Sequence, residues 1–287
     1  MKSRLFILIL TLWTAFAFSQ DFDYFFEKAE QKSSEKDYIS AIYYYQRALQ
    51  INPNSHTTHN NYGNALTYLG RFEEAIKQYR RAIFLKYDYS TAYSNLGLVF
   101  LHKSLFEKAL SNFEKAIEID STNHVAYYYL GRYFVAQKLY EESLEPFLTA
   151  IAIKDDEAIY YYETAVTYFT LDEDNLSKIY FQKAKSIDPS YPNTYIFLGN
   201  LALREGDREQ AVENYQIAAS LGDVNAQTWL ETRDIKWKKL KVKKRPFWMF
   251  WKKSDSGVQE VKKKKKPFWM FWKKAQEDQE VVIPANE

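Results

Sequence analysis

Residues 90–123 read STAYSNLGLVFLHKSLFEKALSNFEKAIEIDSTN, and this stretch decides the fold. A helical apolar period runs through Tyr93, Leu96, Gly97 and Phe100. It breaks near Lys103 and Ser104, then resumes through Leu105, Ala109, Phe113 and Ala116. That pattern predicts two short amphipathic helices joined by a tight turn. It recurs every 34 residues in both directions.

Four columns carry the repeat. Small residues stand at Ala29, Gly63, Gly97, Gly131, Ala165 and Gly199. A second small set is Ala41, Ala75, Ala109, Ser143, Ser177 and Ala211, and a third is Ala48, Ala82, Ala116, Ala150, Ala184 and Ala218. Three residues before the third set come Tyr45, Tyr79, Phe113, Phe147, Phe181 and Tyr215. Small residues let helix axes approach at the near end of the usual packing distance, roughly 8–10 Å. The register holds without insertion over six copies, starting at Phe22, His56, Ser90, His124, Ala158 and Pro192.

This unit resembles the tetratricopeptide repeat, a helix-turn-helix of the same length. The resemblance covers about residues 22–225 and implies an all-α, right-handed superhelical solenoid of six repeats. Proline near the repeat end is present only as Pro53 and Pro189, and Lys32 occupies a place that is usually apolar. Gly70 and Gly206 fall in the inter-helix turns, where a left-handed backbone suits glycine. Pro146 inside a second helix predicts a local bend. Ala226, Trp229, Leu230, Trp237 and Leu240 at helical spacing predict a capping helix over 226–242.

The resemblance also implies a binding groove on the first helices. Its inner positions are polar in the first two copies: Asp23, Glu30, Ser33, Thr57, Asn60, Asn64 and Thr67. In the later copies they form an apolar stripe with a few polar groups: Leu98, Leu101, His102, Tyr128, Arg132, Val135, Tyr162, Val166, Phe169, Ile196 and Leu203, beside Asn200 and Arg204. Such a stripe suits a peptide or helix from a partner protein. Packing against the adjacent repeat is the alternative for any one of these side chains. Some family members grip a C-terminal carboxylate with Lys, Arg and Asn. Asn60, Asn64 and Asn95 match part of that set, but Val125 and Tyr129 stand where cations are needed, so no carboxylate clamp is expected.

Composition narrows the chemistry. The 287 residues contain no cysteine, which excludes disulfides, thiolate metal sites, a cysteine nucleophile and a lipidated cysteine. There is no phosphate-binding glycine loop and no nucleophile elbow. His56 and His59 lack a third ligand at metal spacing and read as a surface pair. Asp172, Glu173 and Asp174 lack the ligand ladder of a calcium loop. Glu141, Glu142 and Glu145 read as a solvated helix face. The expectation is a non-catalytic protein without cofactor or metal.

Both ends differ from the middle. Lys2 and Arg4, an apolar run from Leu5 to Phe18, and Ala17-Phe18-Ser19 read as a secretory signal peptide over 1–19; an uncleaved anchor is the alternative, though the run is short of the roughly 20 residues a spanning helix needs. Either would place the repeats outside the cytoplasm, in a periplasm or cell envelope. The charge splits sharply: residues 1–235 carry −8, residues 236–274 carry +14, and the last thirteen carry −4. Residues 243–287 read as a mostly disordered basic and aromatic tail. Within it the octamer PFWMFWKK occurs twice, at 246–253 and 267–274. Phe247, Trp248, Phe250 and Trp251, and again Phe268, Trp269, Phe271 and Trp272, form clusters too short to span a bilayer. They are expected to dock on an anionic membrane surface, on an envelope protein, or on the chain's own acidic repeats. Export argues against nucleic acid. The expected whole is an envelope scaffold or adaptor. The rival is an accessory subunit of an envelope enzyme or assembly machine, bound to its partner through the tail motif alone.

Overall fold

The computed structural model describes residues 21–236. Among these residues every element is a helix or a turn. Helix α1 runs through residues 21–34. It is followed by α2 (Tyr38–Ile51), α3 (His56–Tyr68), α4 (Phe72–Leu85), α5 (Ser90–His102), α6 (Phe106–Ile119), α7 (His124–Ala136) and α8 (Tyr140–Ile153). Then come α9 (Ala158–Thr170), α10 (Asp174–Ile187), α11 (Pro192–Arg204), α12 (Arg208–Ser220) and α13 (Val224–Glu231). Within each unit helices pair in chain order: α3 with α4 and α5 with α6 in one, α9 with α10 and α11 with α12 in the other. The first helices α3, α5, α7, α9 and α11 have 13 residues each, and their starts lie 34 residues apart. The leader 1–19 and the tail 243–287 lie outside the described residues, and no described helix is long and apolar enough to cross a membrane.

The described residues divide into two compact units, 21–133 with 150–155, and 134–149 with 156–236. In the first, Tyr45, Tyr79 and Phe113 are almost wholly buried between Ala41, Ala75 and Ala109 and the later Ala48, Ala82 and Ala116. The small column explains itself here. A Cβ on Gly63 would lie 2.6 Å from the Tyr79 ring, and one on Gly97 would lie 2.6 Å from the Phe113 ring. In the second unit Phe147, Phe181 and Tyr215 fill the same role, with Ser143 and Ser177 fully buried beside them. Their hydroxyls are satisfied: Ser143 Oγ donates to the Tyr140 carbonyl (2.8 Å) and Ser177 Oγ to the Ala165 carbonyl (2.9 Å).

Every first helix ends the same way. Lys36, Gly70, Ser104, Lys138, Asp172 and Gly206 all have φ between 56° and 80°. The residue after each sends its N–H back to a carbonyl five residues earlier, as Arg71 does to Leu66 (2.9 Å) and Leu105 to Phe100 (2.9 Å). This closing pattern satisfies the last carbonyls of the helix and turns the chain sharply into the second helix. Pro146 sits inside α8, and the helix continues on both sides of it.

The final helix is shorter than the period of its apolar residues predicts. α13 stops at Glu231 rather than running to 242. Asp234 takes φ 54°, and Ile235 N–H returns to the Leu230 carbonyl at 3.0 Å, the same closure used in the repeats. Ile235 then folds onto the cluster of Ala218, Ala226, Leu230 and Tyr215. Trp229 stacks on Tyr215 at 4.2 Å and covers the last repeat. Trp237 and Leu240 lie outside the described residues.

Candidate protein-binding faces

The residues named as lining all lie on first helices, and they differ in burial. In the first unit Leu98 and Leu101 are half-buried and His102 is exposed. His102 stacks flat on Phe72 at 5.7 Å. Partial loss of water around the ring, whose one face Phe72 covers, and the nearby Arg132 guanidinium hold its pKa below the ordinary histidine value. Tyr128 is buried, with the Arg132 guanidinium over its ring at 5.9 Å. In the second unit Val135, Val166 and Ile196 are half-buried, and Ile196 packs on the terminal cluster. Tyr162 is buried in a cage of Phe181, Tyr191 and Phe197 at 5.0–6.0 Å between ring centres. Tyr128 and Tyr162 are therefore packing residues, the second of the two roles the sequence left open.

What remains open in the second unit is a compact polar–apolar patch. Phe169 is half-buried and meets Phe197 edge-on at 5.2 Å. The Arg204 guanidinium lies 3.8 Å above the Phe169 ring centre. Asp174 (2.7 Å) and Asp172 (3.2 Å) hold that guanidinium from the preceding turn. The acidic run of that turn thus has a positional role that its own sequence does not show. Leu203 beside it is 41% exposed. Arg204 leaves N–H donors near an open apolar surface, as a peptide ligand requires.

The polar lining of the early repeats is a bonded ladder. Asn95 Nδ2 reaches both Asn60 Oδ1 and Asn64 Oδ1 at 3.0 Å. Asn60 also donates to Asn61 Oδ1 (3.0 Å), and Asn61 to Glu30 Oε1 (2.9 Å). Asn60 and Asn95 are fully buried, so the ladder holds first helices to one another. His59 is likewise buried rather than superficial: its ring nitrogens face Gln78 Oε1 (2.8 Å) and the Pro53 carbonyl (3.1 Å). His56 instead meets Tyr89 edge-on. No cluster of metal-ligating side chains occurs among the described residues.

Family models meet the chain in four places. Models described as tetratricopeptide repeat match residues 44–77, 90–123 and 158–191, and one described as TPR repeat matches 63–104. Two of these ranges begin at the first residues of α5 and α9. The chain contains tetratricopeptide repeats. Solved structures agree on the fold. The pilF protein of Pseudomonas aeruginosa shares 16% identity over 75% of this chain and 99% of its own, with a TM-score of 0.63. PilW, a widely conserved type IV pilus biogenesis factor, shares 19% over 73% and 98%, with a TM-score of 0.64. A chain of the APC/C hetero-tetramer Cut9–Hcn1 shares 12% over 80% of this chain and 46% of its own, with a TM-score of 0.68. At such identities the likeness is one of fold. No curated protein matches the chain.

Proposed function

We propose that this is a non-catalytic scaffold or adaptor of the cell envelope that holds a peptide or helix of a partner protein on its tetratricopeptide repeats. The observation that carries the reading is the patch of Phe169, Leu203 and Arg204. A half-buried phenylalanine sits under a guanidinium held by two aspartates, and the leucine next to that arginine in the chain is exposed. Leu98, Leu101 and His102 offer a smaller face of the same kind in the first unit. Export rests on the leader-like residues 1–19, and the envelope setting is in keeping with PilW, a pilus biogenesis factor. The two PFWMFWKK octamers tether the protein to a membrane surface or to an envelope partner, and two copies on one chain add avidity.

The test is crosslinking capture from the exporting cell, comparing the parent with Phe169→Ala, Leu203→Glu and a chain ending at residue 242. Loss of the captured partner in the two point variants, at unchanged helicity, supports the repeat face. If both point variants keep every partner while the shortened chain releases them, only the tail binds, and the protein is an accessory subunit.

A further inference from the structure

Residues 38–51 contain no carboxylate, and neither do residues 75–87. These are α2 and most of α4, two successive second helices of the first unit. Their outward positions carry large apolar side chains left in water: Ile39 (74% exposed), Tyr43 (50%), Phe84 (76%) and, just past α4, Tyr87 (80%). A lone exposed apolar residue needs no explanation. These four share the two segments with five exposed cations: Arg47, Lys77, Arg80, Arg81 and Lys86. Among the described residues none of the five forms an ion pair with a carboxylate. Arg47 and Arg81 instead lie against rings, at 5.4 Å from Tyr43 and 5.2 Å from Phe84.

The register makes this one face. Tyr43 and Lys77 occupy equivalent positions, as do Arg47 and Arg81. Arg81 Nη2 donates to Asn54 Oδ1 at 3.2 Å and ties α4 to the turn after α2. The two carboxylates at the start of α4 are already engaged, Glu74 with Arg71 at 2.7 Å and Glu73 with Lys103. The face ends with the second repeat. One register further on, Phe84 is replaced by Glu118, Arg80 by Glu114 and Tyr87 by Ser121.

We propose that this outward face of α2 and α4 docks on an anionic lipid surface. Aromatic and aliphatic side chains flanked by Lys and Arg are the composition that enters a headgroup layer. Cations near such a surface are attracted within a Debye length, about 8 Å at physiological salt. A membrane is available on the envelope reading, and the contact is separate from the tail. It sets the protein down on its repeats, leaving the tail as a second, independent attachment.

The chain has no cysteine, so an introduced thiol is unique. Tyr87→Cys in the full chain, labelled with an environment-sensitive fluorophore, reports the face while keeping Phe84. Ser121→Cys, at the equivalent position one repeat later, is the control. Vesicles are phosphatidylcholine with about a third phosphatidylglycerol, or phosphatidylcholine alone. The expected result is a blue shift at 87 on anionic vesicles, quenched by nitroxide lipids, with little change at 121. Adding Arg80→Glu and Arg81→Glu should weaken the response at 87 at least ~tenfold. If the chain sediments with vesicles while 87 stays silent, the tail alone attaches, and the proposed face is wrong while the tether stands. If nothing sediments, the proposed face is wrong and the tail's tether is to an envelope protein rather than to lipid. A concentration-dependent shift at 87 without vesicles assigns the face to a second copy and overturns lipid docking.

Discussion

The Tyr215 hydroxyl donates to Asn200 Oδ1 at 2.6 Å, tying the second helix of the sixth repeat to its first. The same two positions are bonded as Tyr79 to Asn64 (2.8 Å) and as Tyr45 to Glu30. In the three repeats where phenylalanine replaces tyrosine, the first-helix position is Leu98, Arg132 or Val166, none of which offers a side-chain acceptor. A hydroxyl is retained where an acceptor waits for it and is absent elsewhere. Tyr215→Phe should therefore cost about 1 kcal/mol by leaving Asn200 without its donor. Asn200→Val with Tyr215→Phe recreates the pair found in the fifth repeat and should recover most of that loss. A double-mutant cycle from denaturant melts measures the coupling. Additive single effects would remove the pairing from the account.

Glycine spacing in the small column predicts a graded series. A Cβ on Gly97 would lie 2.6 Å from the Phe113 ring and 3.2 Å from the Ala109 carbonyl, with backbone blocking one escape. On Gly199 its nearest neighbour is the Tyr215 ring at 3.1 Å. Gly97→Ala should cost about 1–3 kcal/mol, and Gly199→Ala clearly less. Equal melting shifts for the two would mean that the rings yield freely and that closeness is not what selects glycine.

Much of this was legible in the chain itself. Helix starts at His56, Ser90, His124, Ala158 and Pro192 follow from strict periodicity, because each repeat has the same local chemistry. The lining was legible less well. Tyr128 and Tyr162 share the inner positions with Leu98 and Val166 but reach far enough to bury their rings, and length along a helix face is not visible in a periodicity. Arg204 acts through Phe169 and through aspartates some thirty residues away, a contact only the repeat packing creates. The coupling of Tyr215 to Asn200 did leave a signal, since the tyrosine and acceptor columns change in the same repeats, but each column alone reads as core or groove.

The inter-helix turns separate backbone strain from packing. Gly70 has φ 71° and nothing within 4 Å of a Cβ, so Gly70→Ala has space but the wrong backbone preference. It should cost about 1 kcal/mol. Ser104 holds φ 56° at the equivalent position, where a non-glycine residue is strained. Ser104→Gly relieves that strain, partly offset by extra freedom in the unfolded chain, and should raise the melting temperature slightly. Paired thermal melts decide it. A neutral Gly70→Ala together with a destabilising Ser104→Gly would show that side-chain contacts, not φ, set these positions.

Glu145 on α8 is the fourth test, because its carboxylate is turned inward rather than solvated. It is half-buried, and its Oε2 has no hydrogen-bond partner. Burial penalises the charged form and raises its pKa above the usual carboxyl value. A group whose folded pKa lies above its unfolded one favours folding when protonated. That contribution is complete below the unfolded pKa and is lost as pH rises through the folded one. At neutral pH the carboxylate therefore destabilises α8, and Glu145→Gln should melt higher than the parent. At about pH 4, where the parent carboxyl is largely protonated, the advantage should shrink towards zero. Glu145→Leu, which removes the unpartnered polar atoms altogether, should share the gain at neutral pH. Melts of all three proteins across this range are the measurement. A gain of equal size at both pH values would assign the effect to packing, and no gain at neutral pH would mean that the carboxylate is solvated after all.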